Sequence, residues 1–591
     1  MTTKQIVPST TVPEWGSDVI AEALRRLGVE YVALNPGASF RGVHDSFVNY
    51  LGNTRPEMII VNHEEIAVAI AQGYARAAGK PMAAFVHDIV GLLHASMAMF
   101  NAWLGRDPVL VLGGTGPVDA NHRRPWIDWI HTANVQGTAV RDFVKWDDQP
   151  ASAEAAVESL IRAWNLIQAE PRGPVYVCFD TDTQESKLQA PFEFPDFTKF
   201  PQPSRLNADR AALDETARLL AGASNPVILA NTLGRSEAAC DGLMRLAEAL
   251  AIPVVTGGDL HSFPSRHGLN ADHVKNEVLG EADVVVAFDV YDLEQMLTRQ
   301  NWATRTNEDI LRPDTKLIDV SLRHLTTKSW ADDHGALYPT ALSVAADVAL
   351  AIPALAEIVA SRVGEANADE IEARRARLTQ SRAEQLAADQ ATAAAQAGEY
   401  PLALSTIAQA LWEVIQDTDW VVGNGDLRGW MPRLWDFDAP HRNMDGRGGA
   451  GLGMGLGAAI GVALANRHKG RLTINIQSDG DMLFTPAALW TAVHHRIPML
   501  IVMYNNRTYG NDLGHQGTMA RTRGRPEENK TIGIDIDDPV VDFVGLARSF
   551  GCYAEGVIER AKDLRPAFER AKREVLENGR VALVDVYTQV L

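Results

Sequence analysis

RLTINIQSDGDMLFTPAALWTAVHHRIPMLIVMYNNRTYGND, from Arg471 to Asp512, reads as a strand, a turn, a helix and a second strand. Leu472 to Gln477 is the first strand, and Ser478-Asp479-Gly480-Asp481 is the turn at its carboxyl end. Thr485 can cap the following helix with Pro486 at its first position, where a missing N–H costs nothing. That helix runs to about His494, and Ile497 to Tyr504 returns as a strand ending in Asn505-Asn506. In an open parallel sheet, ligands bind at the carboxyl ends of the strands, and Asp479 and Asn506 both fall there. A carboxylate, an amide oxygen and a nearby backbone carbonyl are hard ligands that suit magnesium bound to phosphate oxygens. Asp-Gly alone is an ordinary turn; the metal reading rests on its pairing with Asn-Asn 27 positions on.

The same alternation extends in both directions. Ser17 to Leu27 reads as an amphipathic helix closed by Gly28, followed by an apolar strand, Val29 to Leu34, and the turn Asn35-Pro36-Gly37. Met58 to Asn62, Pro81 to His87, Pro108 to Leu112 and Gly173 to Phe179 are further strands, and Glu64 to Ala78 is an alanine-rich helix ending at Gly79. After a proline-dotted linker, Gln189 to Ser204, a second unit offers strands at 226–230, 253–256, 283–288 and 316–320. Glu357 to Gln396 is charged and poor in strand formers, as in a solvent-facing helical connector with frayed ends. Val581 to Tyr587 echoes Val175 to Phe179, which relates the two outer units. The expectation is an α/β protein of three doubly wound parallel-sheet domains: 1–188, 205–355 and 400–591, with a helical linker at 356–399.

Bulk properties narrow the function. A formal charge of −20 argues against nucleic acid or an anionic membrane surface as partner, while a small anion remains compatible through local donors and a metal. Cys178, Cys240 and Cys552 form neither a disulfide framework nor metal-ligand spacing, which fits a reducing cytoplasm. The start has no signal-peptide pattern, and no run approaches eighteen apolar residues, so a cytoplasmic location is expected.

The Asp479 to Asn506 interval resembles the motif of the thiamine diphosphate-dependent enzymes, Gly-Asp-Gly followed at a fixed distance by Asn-Asn. The resemblance implies that Asp479, the Asn506 side chain and the Thr508 carbonyl hold Mg2+; Ser478 departs from the family glycine but is small. IIVNHEEIAVAIAQGYARAAGKP, Ile59 to Pro81, matches the family's N-terminal motif, and register with Gly73-Tyr74-Ala75 selects Glu64 over Glu65 as the activating glutamate. Such a carboxylate favours the imino form of the aminopyrimidine, which takes the proton from the thiazolium carbon. GAGLGMGLGAAIGVALA, Gly449 to Ala465, matches a third family segment. It implies that Leu452 wedges the bent cofactor and Gly453 offers its backbone to the pyrimidine. The cofactor-binding set is then Gly451, Leu452, Gly453, Ser478, Asp479, Gly480, Asp481, Asn506 and Tyr509. In the family the glutamate of one chain completes the site of another, which implies a homodimer at least and a homotetramer by expectation.

The resemblance is closest to benzoylformate decarboxylase and related 2-oxo acid decarboxylases and carboligases, through Ala488 to Ala492 and Asn505 to Gly510. It implies a small-molecule carbonyl substrate. His87 falls where that branch keeps a histidine able to protonate the carbon that carbon dioxide leaves. The branch's substrate-binding serine aligns with Ala38, with Ser39 next to it. The pair His494-His495 reads as structural, and the polar stretch from Asp512 to Asp538 reads as a long loop that orders over substrate. Acetolactate synthase-like carboligation, 2-hydroxyacyl-CoA cleavage and cyclic-diketone hydrolysis are the alternatives, the chain end at Leu591 speaking against CoA esters. FAD in the central domain is not favoured, since Gly257-Gly258 is its only glycine signal. A catalytically silent cofactor-binding homologue is the reading from outside enzymology, and Glu64 kept with Asp479 and Asn506 speaks against it.

Overall fold

The computed structural model describes residues 12–257, 261–301, 304–325, 337–446 and 448–590; Gly258 lies outside them. Its contacts divide the chain into two interleaved units. Unit 1 comprises residues 1–204, 447–469 and 481–498, and unit 2 comprises 205–446, 470–480 and 499–591.

Unit 1 is built on β1 (Tyr31–Leu34), β2 (Glu57–Ile60), β3 (Met82–Val86), β4 (Val109–Thr115), β5 (Asp147–Asp148) and β6 (Val175–Asp180). These strands are parallel in the order β2-β1-β3-β4-β6-β5. β3, β4 and β6 are buried along their whole length, as strands covered by helices on both faces must be. The chain runs outward from β1 to β2, then crosses back to lay β3 on the other side of β1. The carboxyl ends of β1 and β3 therefore flank a topological switch point, where α/β sheets open a crevice. Two nearly all-buried helices, Glu64–Ala78 and Met454–Asn466, also pack together in this unit. Their backbones touch because a Cβ on Gly73 would fall 1.9 Å from the Ala458 carbonyl oxygen, and one on Gly461 would fall 2.0 Å from that of Ile70.

Unit 2 holds two parallel sheets. One contains β7 (Pro226–Ala230), β8 (Val254–Val255), β9 (Val284–Phe288), β12 (Lys316–Ser321) and β13 (Leu342–Ala345), in the order β13-β12-β9-β7-β8. An antiparallel hairpin, β10 (Thr298–Asn301) with β11 (Thr306–Asp309), lies between β9 and β12 in the chain; neither it nor β13 was expected from sequence. The second sheet runs β14 (Trp420–Asn424), β15 (Leu472–Ser478), β16 (Leu500–Asn505), β18 (Ala582–Tyr587) and β17 (Tyr553–Ile558). In this sheet, as in the sheet of unit 1, the last strand in sequence inserts between an earlier strand and an edge strand. β6 does this between β4 and β5, and β18 between β16 and β17, which is the relation the sequence echo suggested.

Two expectations need correction. The stretch 512–538 is not a long loop: Gly510–Thr522 is a helix, followed by a short 3-10 turn at Glu527–Thr531, and Arg521 pairs with Glu527. The helix Ala368–Gln396 is not simply solvent-facing. Arg374, Leu378, Arg382, Asp389 and Ala393 form a buried stripe along it, and the Arg374 guanidinium donates to the carbonyls of Ser224, Leu250 and Ala251. Planar guanidinium donors matched to three free carbonyls keep that charge buried.

Candidate active site

In unit 1, Glu64 is the first residue of its helix, directly after β2, and is 4% exposed. Its Oε1 accepts from Asn35 Nδ2 at 3.1 Å, and its Oε2 lies 3.3 Å from His94 Nδ1. Glu64 and His87 both border Gly91. A Cβ at Gly91 would stand 2.9 Å from both Glu64 Oε1 and His87 Cβ, so only glycine lets the two side chains share this space. His87 follows β3, and its Nδ1 is 2.8 Å from the hydroxyl of Ser39, which sits just after β1 and is buried. Of the two candidates Ala38 and Ser39, the residue that reaches the histidine is Ser39. Burial, and after it His131, lower the His87 pKa, so its imidazole is neutral near pH 7. Glu65 points elsewhere: its buried Oε1 has no hydrogen-bond partner among the described residues and approaches the Gly453 backbone. Burial, then Asp481, raise its pKa.

Within the glycine-rich segment of unit 1, Gly453, whose φ of 99° only glycine adopts freely, is the N-cap of the Met454–Asn466 helix. Gly453 N–H donates to Asp481 Oδ1 at 2.6 Å, and Thr485 Oγ1 donates to the Gly453 carbonyl at 2.7 Å. Thr485 therefore ties down the glycine turn and does not cap the next helix, which begins later, at Ala488. Gly451 packs on Met97, and Leu452 projects with 38% of its surface exposed, unusual for a leucine beside so many buried residues. The histidine pair makes packing contacts that agree with a structural reading: His495 Nε2 accepts the Ile60 N–H at 2.8 Å, burial lowers its pKa to about 4, and His494 stacks on Trp490.

Ser478 ends β15 in unit 2, and Asp479 begins a single helical turn, Asp479–Met482, where the sequence suggested a turn over 478–481. Asp479 is 1% exposed; its Oδ1 accepts from Gly480 N–H and its Oδ2 from Arg507 N–H at 2.6 Å. Burial pushes its pKa up to about 6. Beside it Asp585, on β18, is also fully buried and raised to about 6, first by burial and in part by Asp479 itself. Asn506 Oδ1 accepts the Thr508 N–H at 3.1 Å, and Thr508 Oγ1 is buried with no partner among the described residues. Gly480 leaves room for the Tyr509 ring, which a Cβ there would meet at 2.6 Å. The Gly510–Thr522 helix starts at the same point. The space that a side chain at Gly510 would take is flanked by the Asn506 amide and the Arg428 guanidinium, at 3.3 and 3.5 Å.

These residues fit a metal–diphosphate group. Asp479 and Asp585 are buried carboxylates that repel each other when ionised, and the oxygens of Asp479, Asn506 and Thr508 are of the hard kind that would suit Mg2+. A helix N-terminus with an arginine and an amide beside it suits an anion. The sequence reading missed Asp585, Arg428, Asp88 and His131, none of which belongs to a spaced motif. Asp88 alone carried a signal, its adjacency to His87. Unit 2 also has a cavity of about 600 Å3 lined by Thr256, Gly257, His261, Arg382, Asp426 and Arg433, at the carboxyl ends of β8 and β14. No helix among the described residues is long and apolar enough to cross a membrane.

Residues 423–586 match the C-terminal TPP-binding domain of thiamine pyrophosphate enzymes, and residues 14–138 match the N-terminal TPP-binding domain. Among curated relatives, the acetolactate synthase large subunit of Haemophilus influenzae is 23% identical, over 91% of this chain and 88% of its own. Benzoylformate decarboxylase of Pseudomonas aeruginosa is 25% identical, over 96% of this chain and 98% of its own. Among solved structures, benzoylformate decarboxylase from Polynucleobacter necessarius superposes with a TM-score of 0.74 at 17% identity, covering 98% of this chain and 99% of its own. The thiamine diphosphate-dependent 4-hydroxybenzoylformate decarboxylase of Rhodococcus jostii gives 0.74 at 21%, with the same coverage. Both share the fold.

Proposed function

Because the chain belongs to the thiamine diphosphate-dependent decarboxylase and carboligase family, we propose that it decarboxylates a 2-oxo acid, using Glu64 and His87 as its catalytic side chains. The observation that carries this reading is the approach of Glu64 and His87 across Gly91, with His87 held by Ser39. A neutral, half-buried imidazole beside a buried carboxylate is suited to moving a proton.

When bound, thiamine diphosphate supplies a carbon nucleophile and an electron sink next to the substrate carbonyl. Glu64, hydrogen bonded by Asn35, would face the ring nitrogen of the aminopyrimidine and exchange a proton with it. Gly451, Leu452 and Gly453 would support the cofactor, and Asp481 fixes Gly453 through its backbone N–H. Asp479, the Asn506 amide oxygen and the Thr508 carbonyl would hold Mg2+, and Ser478, Gly480 and Tyr509 would line the diphosphate. His87 delivers a proton to the carbon that loses carbon dioxide, and Ser39 orients its ring.

The reading needs no flavin. It further holds that the enzyme is cytoplasmic, works as a homodimer or homotetramer, and is divided along the chain as 1–188, 205–355, 356–399 and 400–591. Relatives at similar identity are named for decarboxylation and for acetolactate synthesis, so the product separates the two. Wild-type protein with thiamine diphosphate and Mg2+, given 2-oxo acids from pyruvate to aromatic members, is expected to release carbon dioxide and aldehyde in equal amounts. A 2-hydroxy-2-alkyl acid in place of aldehyde would make it a carboligase. No carbon dioxide from any acid, despite cofactor binding, would sink the reading.

A further inference from the structure

Behind His87, in the same unit, lies a group of side chains that the scheme above leaves unused. Asp88 is next in sequence and 4% exposed; its Oδ1 is buried without a hydrogen-bond partner among the described residues. The Ser39 hydroxyl stands between the two residues, 2.8 Å from His87 Nδ1 and 3.1 Å from the Asp88 backbone nitrogen. His131 closes the group at the end of the Ile127–His131 helix: its ring meets that of His87 edge-on, with centroids 5.3 Å apart. Side-chain nitrogen or oxygen atoms of His87, Asp88 and His131 all come within 4.8 Å of one another. His131 is only half buried, whereas Asp88 is sealed from solvent. The cluster thus reaches from the protein surface to the histidine at the switch point of the sheet.

Decarboxylation of a 2-oxo acid to an aldehyde consumes one proton per turnover, because hydrogen replaces carbon dioxide on the carbonyl carbon. A neutral imidazole that gives a proton away must regain one before the next cycle. We propose that Asp88 and His131 form a proton relay that reloads His87 through the Ser39 hydroxyl, drawing the replacement proton from solvent. As the other ring nitrogen of His87 gives its proton to the carbon, the Ser39 proton moves to His87 Nδ1 and the Asp88 carboxyl proton moves to the Ser39 oxygen. His131 then returns a proton to Asp88 and takes one from solvent, and the imidazole returns to its starting tautomer before the next cycle. Within the relay no bond other than O–H and N–H is made or broken.

The surroundings suit the task. Burial pushes the Asp88 pKa up to about 7; Asp128 raises it further, while Ser39 and Arg124 oppose the shift. A group balanced there is both donor and acceptor at neutral pH. Tyr176 and Cys178, which face it from β6, are themselves pushed upward by burial and stay protonated, so they do not compete. Glu64 acts on His87 in the opposite sense to His131, favouring the charged ring. Asp88 and His131 are thus positioning residues, acting through His87.

The inference rests on the decarboxylase reading, and the holoenzyme tests them separately. With a 2-oxo acid that the wild type turns over, Asp88→Asn keeps the shape but has no proton to give. The first molecule of carbon dioxide per site is expected at a rate within a few-fold of wild type. Steady-state aldehyde release is expected to fall by about 10²-fold. The wild-type rate is expected to decline as pH rises through about 7, where Asp88 loses its proton, and Asp88→Asn is expected to lose that limb. His131→Ala is expected to slow aldehyde release by about 10²-fold, the low end for a lost proton-transfer group, with recovery on adding imidazole. An unchanged aldehyde rate and pH profile in Asp88→Asn, or equal loss of the carbon dioxide burst and aldehyde release, would overturn the relay. A wild type that releases no carbon dioxide from any acid would instead remove the reading beneath it.

Discussion

A carboxylate withdrawn from water holds its proton more tightly unless a positive charge meets it, and Asp479 and Asp585 are in that state. Both have folded pKa values near 6, above the ordinary 3.8, so the stability they contribute to the cofactor-free protein is full below pH 3.8 and lost as pH rises through 6. Mg2+ binds the deprotonated form, so the rise in Tm on adding Mg2+ and thiamine diphosphate should be larger at pH 7.5 than at pH 5.5. Asp479→Asn should remove most of that rise, and thermal melts showing equal increments at both pH values would count against a metal there. The two adjacent glutamates separate in a second experiment. Glu64→Gln is expected to lower the rate of carbon dioxide release by about 10²-fold or more, and Glu65→Gln by less than about tenfold. The reverse pattern would assign activation to Glu65, whose raised pKa and unpartnered oxygen make it the one serious competitor.

The packing of the two glycine-bearing helices depends on backbone contact. Gly73→Val would drive a side chain into the Ala458 carbonyl and is expected to destabilise by about 3 kcal/mol, read from the urea midpoint. Gly398→Ala, which meets nothing within 4 Å, should stay within about 0.5 kcal/mol of wild type. At this scale the sequence was readable wherever periodicity and burial agreed. Glu64 to Ala78 and Pro226 to Ala230 come out with the bounds expected, because an apolar helix and a buried strand leave few alternatives. Gly510–Thr522 did not, because its Gly, Asn, Asp and Thr residues read as a loop while the fold extends them as a helix. Arg374 misled in the other direction: a charge on an alanine-rich helix reads as solvent-facing, and only the three-dimensional supply of carbonyls explains its burial.

For the molecule as a whole, the α/β class and the parallel sheets followed from strand–helix alternation, whereas the strand orders did not. Nothing in the spacing of residues 31 to 86 says that β3 returns to the far side of β1, and that crossing brings Ser39 to His87. The proposed site residues Glu64, Asp479 and Asn506 could be picked out in the sequence because they stand at the intervals of the family motif. Asp88, His131 and Asp585 are single residues brought in by the fold, and no interval marks them. The central claim, cofactor-dependent decarboxylation activated by Glu64, is tested most directly by one comparison. Carbon dioxide release from a 2-oxo acid is measured with and without thiamine diphosphate and Mg2+, in wild type and in Glu64→Gln, with cofactor binding checked in both. Release that needs both additions and falls by about 10²-fold in a variant that still binds the cofactor is the predicted result. Equal release by the two proteins, or release that ignores the cofactor, would contradict it.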